Sequence, residues 1–176
     1  MPRLDVIDPA VDSGPGAAIL NGPLQEKQIN IFKGLAAHPS VLEAYLAWGQ
    51  GSKGGALTPS ECEVVQLLAA EKMRCDYCLA AHTKIAQGTG FSEDDCLNIR
   101  RRQSDDAKLQ ALIDFTAEAL DTYGNVSDDT LEAFMNAGYD TKAAIEVVAG
   151  ISTLTFTSFY NHIHETVVDF PEAATV

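Results

Sequence analysis

Apolar residues recur every three or four positions through most of the chain, and polar or glycine-rich stretches cut that pattern into segments. Ile29, Phe32, Leu35 and Ala36 predict a helix from about 24 to 38, closed by His38-Pro39. Val41, Leu42, Tyr45, Leu46 and Trp48 predict a second from about 40, ended by Gly49, Gly51, Gly54 and Gly55. Thr58-Pro59-Ser60-Glu61 reads as a capping box with proline at the first helical position, opening a helix to about 73 with Val64, Leu67, Leu68 and Ala70 inside. The next runs over 75–87 and stops at Gly88 and Gly90; a short one follows from Ser92 to Arg100, Arg101 and Arg102. Ser104-Asp105-Asp106 caps a helix striped by Leu109, Leu112, Ile113 and Leu120, and Ser127 opens another to about 137. Asp140-Thr141 starts a long last helix to about 165. Its small residues, among them Ala143, Gly150 and Ser158, predict close packing in the core or at a subunit contact.

No segment alternates as a half-buried strand does, so the expected class is all-α: one domain, residues 24–176, built as a bundle of about seven or eight helices. Residues 1–23 hold four prolines and three glycines and read as an irregular N-terminal arm, with the apolar patch 17–20 favouring a strap over a loose tail. The tail from 167 is expected to be extended. A length of 176 residues suits a single core. With 12 Lys and Arg against 25 Asp and Glu, the net charge of -13 argues against nucleic acid and anionic membrane surfaces as partners. The N-terminus lacks the apolar core of a secretory signal, and no run approaches a bilayer span. The expected location is cytoplasmic, where thiols stay reduced.

That compartment changes how Cys75 and Cys78 read, since a Cys-x-x-Cys pair there is more often catalytic or metal-binding than structural. His82 follows Cys78 by four residues, which on a helix stacks Cys75, Cys78 and His82 over two turns of one face. A helix starting at Cys75 would favour a thiolate there, whereas His82 favours Cys78 as the activated thiol; both stay open on this ground. Glu63 lies on a mostly apolar face of the preceding helix. If the two helices fold back across Arg74, Glu63 meets His82 as a carboxylate–imidazole pair beside a thiol, the arrangement of an activated nucleophile. Zinc is the competing use of the two cysteines with His82, but no second Cys-x-x-Cys or His-x3-His supplies a complete ligand set. Tyr77 is a possible site-lining residue or a packing aromatic. Cys62 and Cys96 read as small buried hydrophobes, the arginine run 100–102 as a solvated helix end, and Asn161 and His162 as surface or interface residues more than pocket residues.

The register Glu-x11-Cys-x-x-Cys-x3-His resembles the alkyl hydroperoxidase D-like branch of the carboxymuconolactone decarboxylase family. His38-Pro39, Gly90-Phe91-Ser92, Tyr160-Asn161-His162 and Asp169-Phe170-Pro171 resemble its peroxidase-related subgroup, over roughly residues 30–171. The resemblance implies an all-helical fold in symmetric homo-oligomers, trimers or hexamers, and hydroperoxide reduction without metal or flavin. It implies that Cys78 attacks the peroxide, that Cys75 closes a Cys75–Cys78 disulfide, and that Glu63 and His82 carry protons. An external dithiol or thiol protein then resets the pair. The sequence departs from the best-known member at Tyr77, where that protein has a second histidine; a phenol is a poorer proton carrier near neutral pH. The alternatives are a general dithiol–disulfide oxidoreductase, a non-catalytic redox or zinc-binding oligomer, and a carboxymuconolactone decarboxylase-type enzyme, whose chemistry needs no vicinal thiols.

Overall fold

Every residue from Glu61 to Ala70 is buried. A helix with no solvent face must sit at the centre of its bundle, and in the computed structural model of this protein, which describes residues 2–176, the other helices wrap around it. In chain order they are α1 (Pro15–Asn21), α2 (Asn30–Leu35), α3 (Pro39–Gly51), the central α4 (Pro59–Met73), α5 (Asp76–Gly88), α6 (Glu93–Arg100), α7 (Ala107–Asp121), α8 (Asp128–Asn136) and α9 (Thr141–His164). The described residues contain no strand, so the all-α expectation holds. α4 packs against α9, α5, α7 and α6, while α8 leans on α7 and α3 on α9.

The capping box forms as the sequence predicts. Thr58 Oγ1 accepts from the Glu61 amide, and the Thr58 amide donates to the Glu61 carboxylate at 2.8 Å. The other carboxylate oxygen accepts from Tyr139 at 2.8 Å, which ties the start of α4 to the turn before α9. α9 approaches α4 closely because of its small residues: a Cβ on Gly150 would lie 3.1 Å from both Val65 and Gln66. α9 also corrects one expectation. At 24 residues and mean hydropathy 1.3 in its most apolar stretch, it has the length and composition of a membrane span. Its inward face carries Glu146, Asn161 and His164 beside Val147 and Leu154, a mixture that serves a polar core site and suits lipid poorly.

Three further expectations change. The arm is not irregular throughout: α1 forms within it and seats Ile19 and Leu20 in the core, as a strap does. α2 starts at Asn30 rather than near 24. Its first amide is capped by the Asp169 carboxylate at 2.7 Å, a partner 139 residues away that no local pattern announces. Within the arginine run only Arg100 departs from a solvated helix end, buried against Glu71 at 2.8 Å; Arg101 and Arg102 are exposed, and Arg102 grips Asp121 with two guanidinium nitrogens.

Candidate active site

α4 ends at Arg74, which adopts the left-handed conformation with φ 52°. That turn reverses the chain, so α5 folds back along α4. Cys75 becomes the N-cap of α5, in extended backbone, and its Sγ accepts the Cys78 amide at 3.2 Å. The sulfur thus takes the place a serine oxygen would take at a helix start, where free amides stabilise negative charge. The Cα atoms of Cys75 and Cys78 lie 5.2 Å apart and the two sulfurs are joined as a disulfide. Both cysteines are almost fully buried.

The fold-back also brings Glu63 to His82, as the register predicts. The Glu63 carboxylate lies 2.7 Å from His82 Nδ1 and is 1% exposed. Lys53 Nζ approaches its other oxygen at 3.8 Å. A carboxylate this deep requires such partners, because an unpaired buried charge is strongly unfavourable. His82 bonds to Glu63 rather than to either sulfur, and its outer edge forms part of a cavity wall. In this disulfide state the imidazole is therefore oriented by the acid, not by the thiols.

α9 supplies the partners of the sulfurs. Ser158 Oγ lies 3.4 Å from Cys78 Sγ. The Asn161 amide donates to Cys78 Sγ at 3.5 Å and reaches Cys75 Sγ at 3.9 Å, while its Oδ1 is buried with no partner among the described residues. Asn161 thus belongs to the site, which corrects the surface or interface reading. Its signal was present: Leu154, Ser158 and Asn161 share one face of α9, and polar residues on a buried face need an internal partner. Lys53 was also missed; it stands in a glycine-rich loop with no periodicity. That loop is held by Glu146, which accepts from the Ala56 and Leu57 amides at 3.0 and 2.8 Å.

Tyr77 turns away from the cavity. Its hydroxyl accepts from the Ile31 amide at 3.3 Å and its ring packs edge-on against Phe170. Burial, and then hydrogen bonding to Asp169, push its phenol far above the ordinary value, so it holds its proton. It fastens α2 and the C-terminal tail behind the cysteines. His162 bonds the Arg74 carbonyl at 3.1 Å and braces the corner. Burial raises the Cys62 and Cys96 thiols, as expected of small core residues. Among the described residues no three His, Cys, Asp or Glu side chains converge as a metal cluster.

The cavity at His82 encloses about 270 Å³. Phe32, Tyr45, Leu46 and Leu154 give it an apolar wall, and Lys53, Gln66 and Thr157 a polar one. Burial pushes the Tyr45 phenol up to about 12, so this ring stays neutral. Of the site residues, His82 and Lys53 line this cavity and neither sulfur does; His82, one helical turn beyond Cys78 on α5, links the cavity to the cysteines.

Residues 39–121 match the carboxymuconolactone decarboxylase family. A comparison with curated proteins finds no match. Among solved structures, the chain is similar to an uncharacterized peroxidase-related protein with an alkylhydroperoxidase AhpD core from Ralstonia eutropha JMP134, at TM-score 0.84 and 18% identity, covering 96% of this chain and 92% of that one. A peroxidase-related protein from Silicibacter sp. TM1040 superposes at TM-score 0.75 with 18% identity, over 94% and 91% of the two chains. A cysteine-to-alanine variant of the debrominase Bmp8, in complex with 2,3,4-tribromopyrrole, gives TM-score 0.73 at 15% identity over 94% of each chain.

Proposed function

We propose that this chain, whose residues 39–121 match the carboxymuconolactone decarboxylase family and whose sequence resembles that family's alkyl hydroperoxidase D-like branch, is a thiol-dependent peroxidase. The observation that carries the reading is the buried Cys75–Cys78 pair placed one helical turn from the hydrogen-bonded Glu63 and His82. In the reduced enzyme, Glu63-oriented His82 takes the proton of Cys78, directly or through a water molecule. The Cys78 thiolate attacks the distal oxygen of the hydroperoxide: an S–O bond forms, the O–O bond breaks, and the alkoxide leaves with a proton from the imidazolium. Cys78 is now a sulfenic acid. The Cys75 sulfur displaces its hydroxyl as water, closing the disulfide. Two electrons and two protons from an external dithiol or thiol protein restore both thiols.

Asn161 and Ser158 hold the sulfur that carries developing charge, and the neighbouring cavity admits the peroxide. We assign the cycle to a reducing compartment, the cytoplasm. We also propose a symmetric homo-oligomer, a trimer or hexamer, in which the exposed α9 residues Ile145, Val148, Phe159 and Ile163 are covered.

The reading is tested by peroxide turnover. Consumption of cumene hydroperoxide with dithiothreitol should vanish in Cys78→Ser and persist in Cys62→Ser. Unchanged turnover in Cys78→Ser would remove the assignment. A second reading is reductive dehalogenation, in which the dithiol delivers two electrons and one proton to a bromoarene, releasing bromide and a second proton. The aromatic wall of the cavity beside a dithiol favours it, and bromide release from a bromopyrrole separates the two.

A further inference from the structure

We infer that the site takes small hydroperoxides that combine one apolar ring with an anionic group, a carboxylate above all. This rests on the peroxidase reading and names its substrate class. The chain carries 25 acidic residues against 12 Lys and Arg, yet the lining of this cavity contains Lys27, Lys53 and no carboxylate. The other polar cavities differ: one beside α6 is lined by Asp95, Asp105 and Asp106.

Lys27 forms no ion pair among the described residues. Lys53 makes only the long 3.8 Å approach to Glu63, whose other oxygen is taken by His82. Glu63 offsets Lys53, so the positive charge of the lining that no acid balances is that of Lys27. In a protein of net charge -13, that local sign is what an anion would need in order to approach His82 at all.

The walls and the size set the rest of the ligand. Phe32 and Tyr45, whose rings pack tilted against each other, line the cavity and suit an apolar body. A volume of about 270 Å³ lies below the usual range for drug-sized ligands, about 300–1,000 Å³, while benzene needs roughly 150 Å³. One ring with short substituents fits within it. In the reaction the carboxylate is a spectator: the O–O bond breaks as before, and the product is the corresponding hydroxy acid.

The test compares kcat/KM for 4-(2-hydroperoxypropan-2-yl)benzoate with that for cumene hydroperoxide, which differ only by the carboxylate, with dithiothreitol as reductant. The expected preference for the acid is about fivefold and shrinks in 0.5 M salt. Lys27→Glu should abolish or invert it, and Lys27→Arg should keep it. Equal ratios in wild type, or a ratio unmoved by Lys27→Glu, overturn the inference while the peroxidase reading stands. If neither peroxide is consumed, the peroxidase reading fails. Calorimetric titration with 4-isopropylbenzoate, which needs no turnover, then decides the anion site: binding that Lys27→Glu weakens supports it, and no binding removes it.

Discussion

Replacing Glu63 by Gln removes one charge and keeps the shape, and the structure sets how much that should matter. The carboxylate has two partners. His82 is 2.7 Å away and part-buried; Lys53 is 3.8 Å away with its side chain more than half exposed. An exposed lysine contact at that distance contributes about 1 kcal/mol at most. A buried hydrogen bond to an ionised group contributes about 1.5–3 kcal/mol, so the His82 bond dominates. If its full strength is used only when His82 takes the Cys78 proton, its loss slows thiol oxidation by about 10- to 100-fold. Folding should suffer less, since the amide still accepts from Nδ1. The assay is single-turnover: reduced protein is mixed rapidly with cumene hydroperoxide and free thiol is followed in time. His82→Gln supplies the second half of a cycle, and Glu63→Gln added to it should cost little more. A Glu63→Gln rate within twofold of wild type, or an undiminished loss in the His82→Gln background, would refute the relay.

Other outcomes follow from the same geometry. Cys75→Ser should stop the cycle at the Cys78 sulfenic acid, which dimedone traps and mass spectrometry locates; adduct on another cysteine contradicts the assignment. Asn161→Ala removes the amide that donates to both sulfurs and should slow oxidation about 10-fold while shifting the melting point only slightly; an unchanged rate would return Asn161 to a packing role. Burial lowers the His164 pKa, so as pH falls below about 6.5 the unfolded chain binds a proton that the folded chain resists, and stability declines until the lowered folded value is passed. Urea titrations at pH 7.5 and 5.0 should show that decline shrink in His164→Gln; equal slopes would show that His164 does not contribute.

The helices were legible where caps and periodicity agree. Thr58 and Glu61, Ser92, Asp106, Ser127 and Asp140 each cap the helix that the chain pattern predicts at that point. The register from Glu63 to His82 was legible too, because an antiparallel helix pair joined by a tight corner leaves little freedom in which side chains meet. What could not be read is long-range. Asp169 caps α2 across nearly the whole chain, Ser158 and Asn161 reach the sulfurs from the last helix, and Glu146 fixes the loop that presents Lys53. Each is set by how helices pack, which local spacing does not encode. α1 was missed for a different reason: Pro15 and Gly16 read as breakers, yet proline suits a first helical turn, and Gly16 allows the close approach of the Ala36 carbonyl.

Reduced protein should be mixed anaerobically with one equivalent of cumene hydroperoxide and its peptides mapped without further reductant. The account predicts one equivalent of cumyl alcohol and a Cys75–Cys78 disulfide, with Cys62 and Cys96 still free. Peroxide left intact beside free Cys75 and Cys78, or oxidation confined to Cys62 and Cys96, would contradict it.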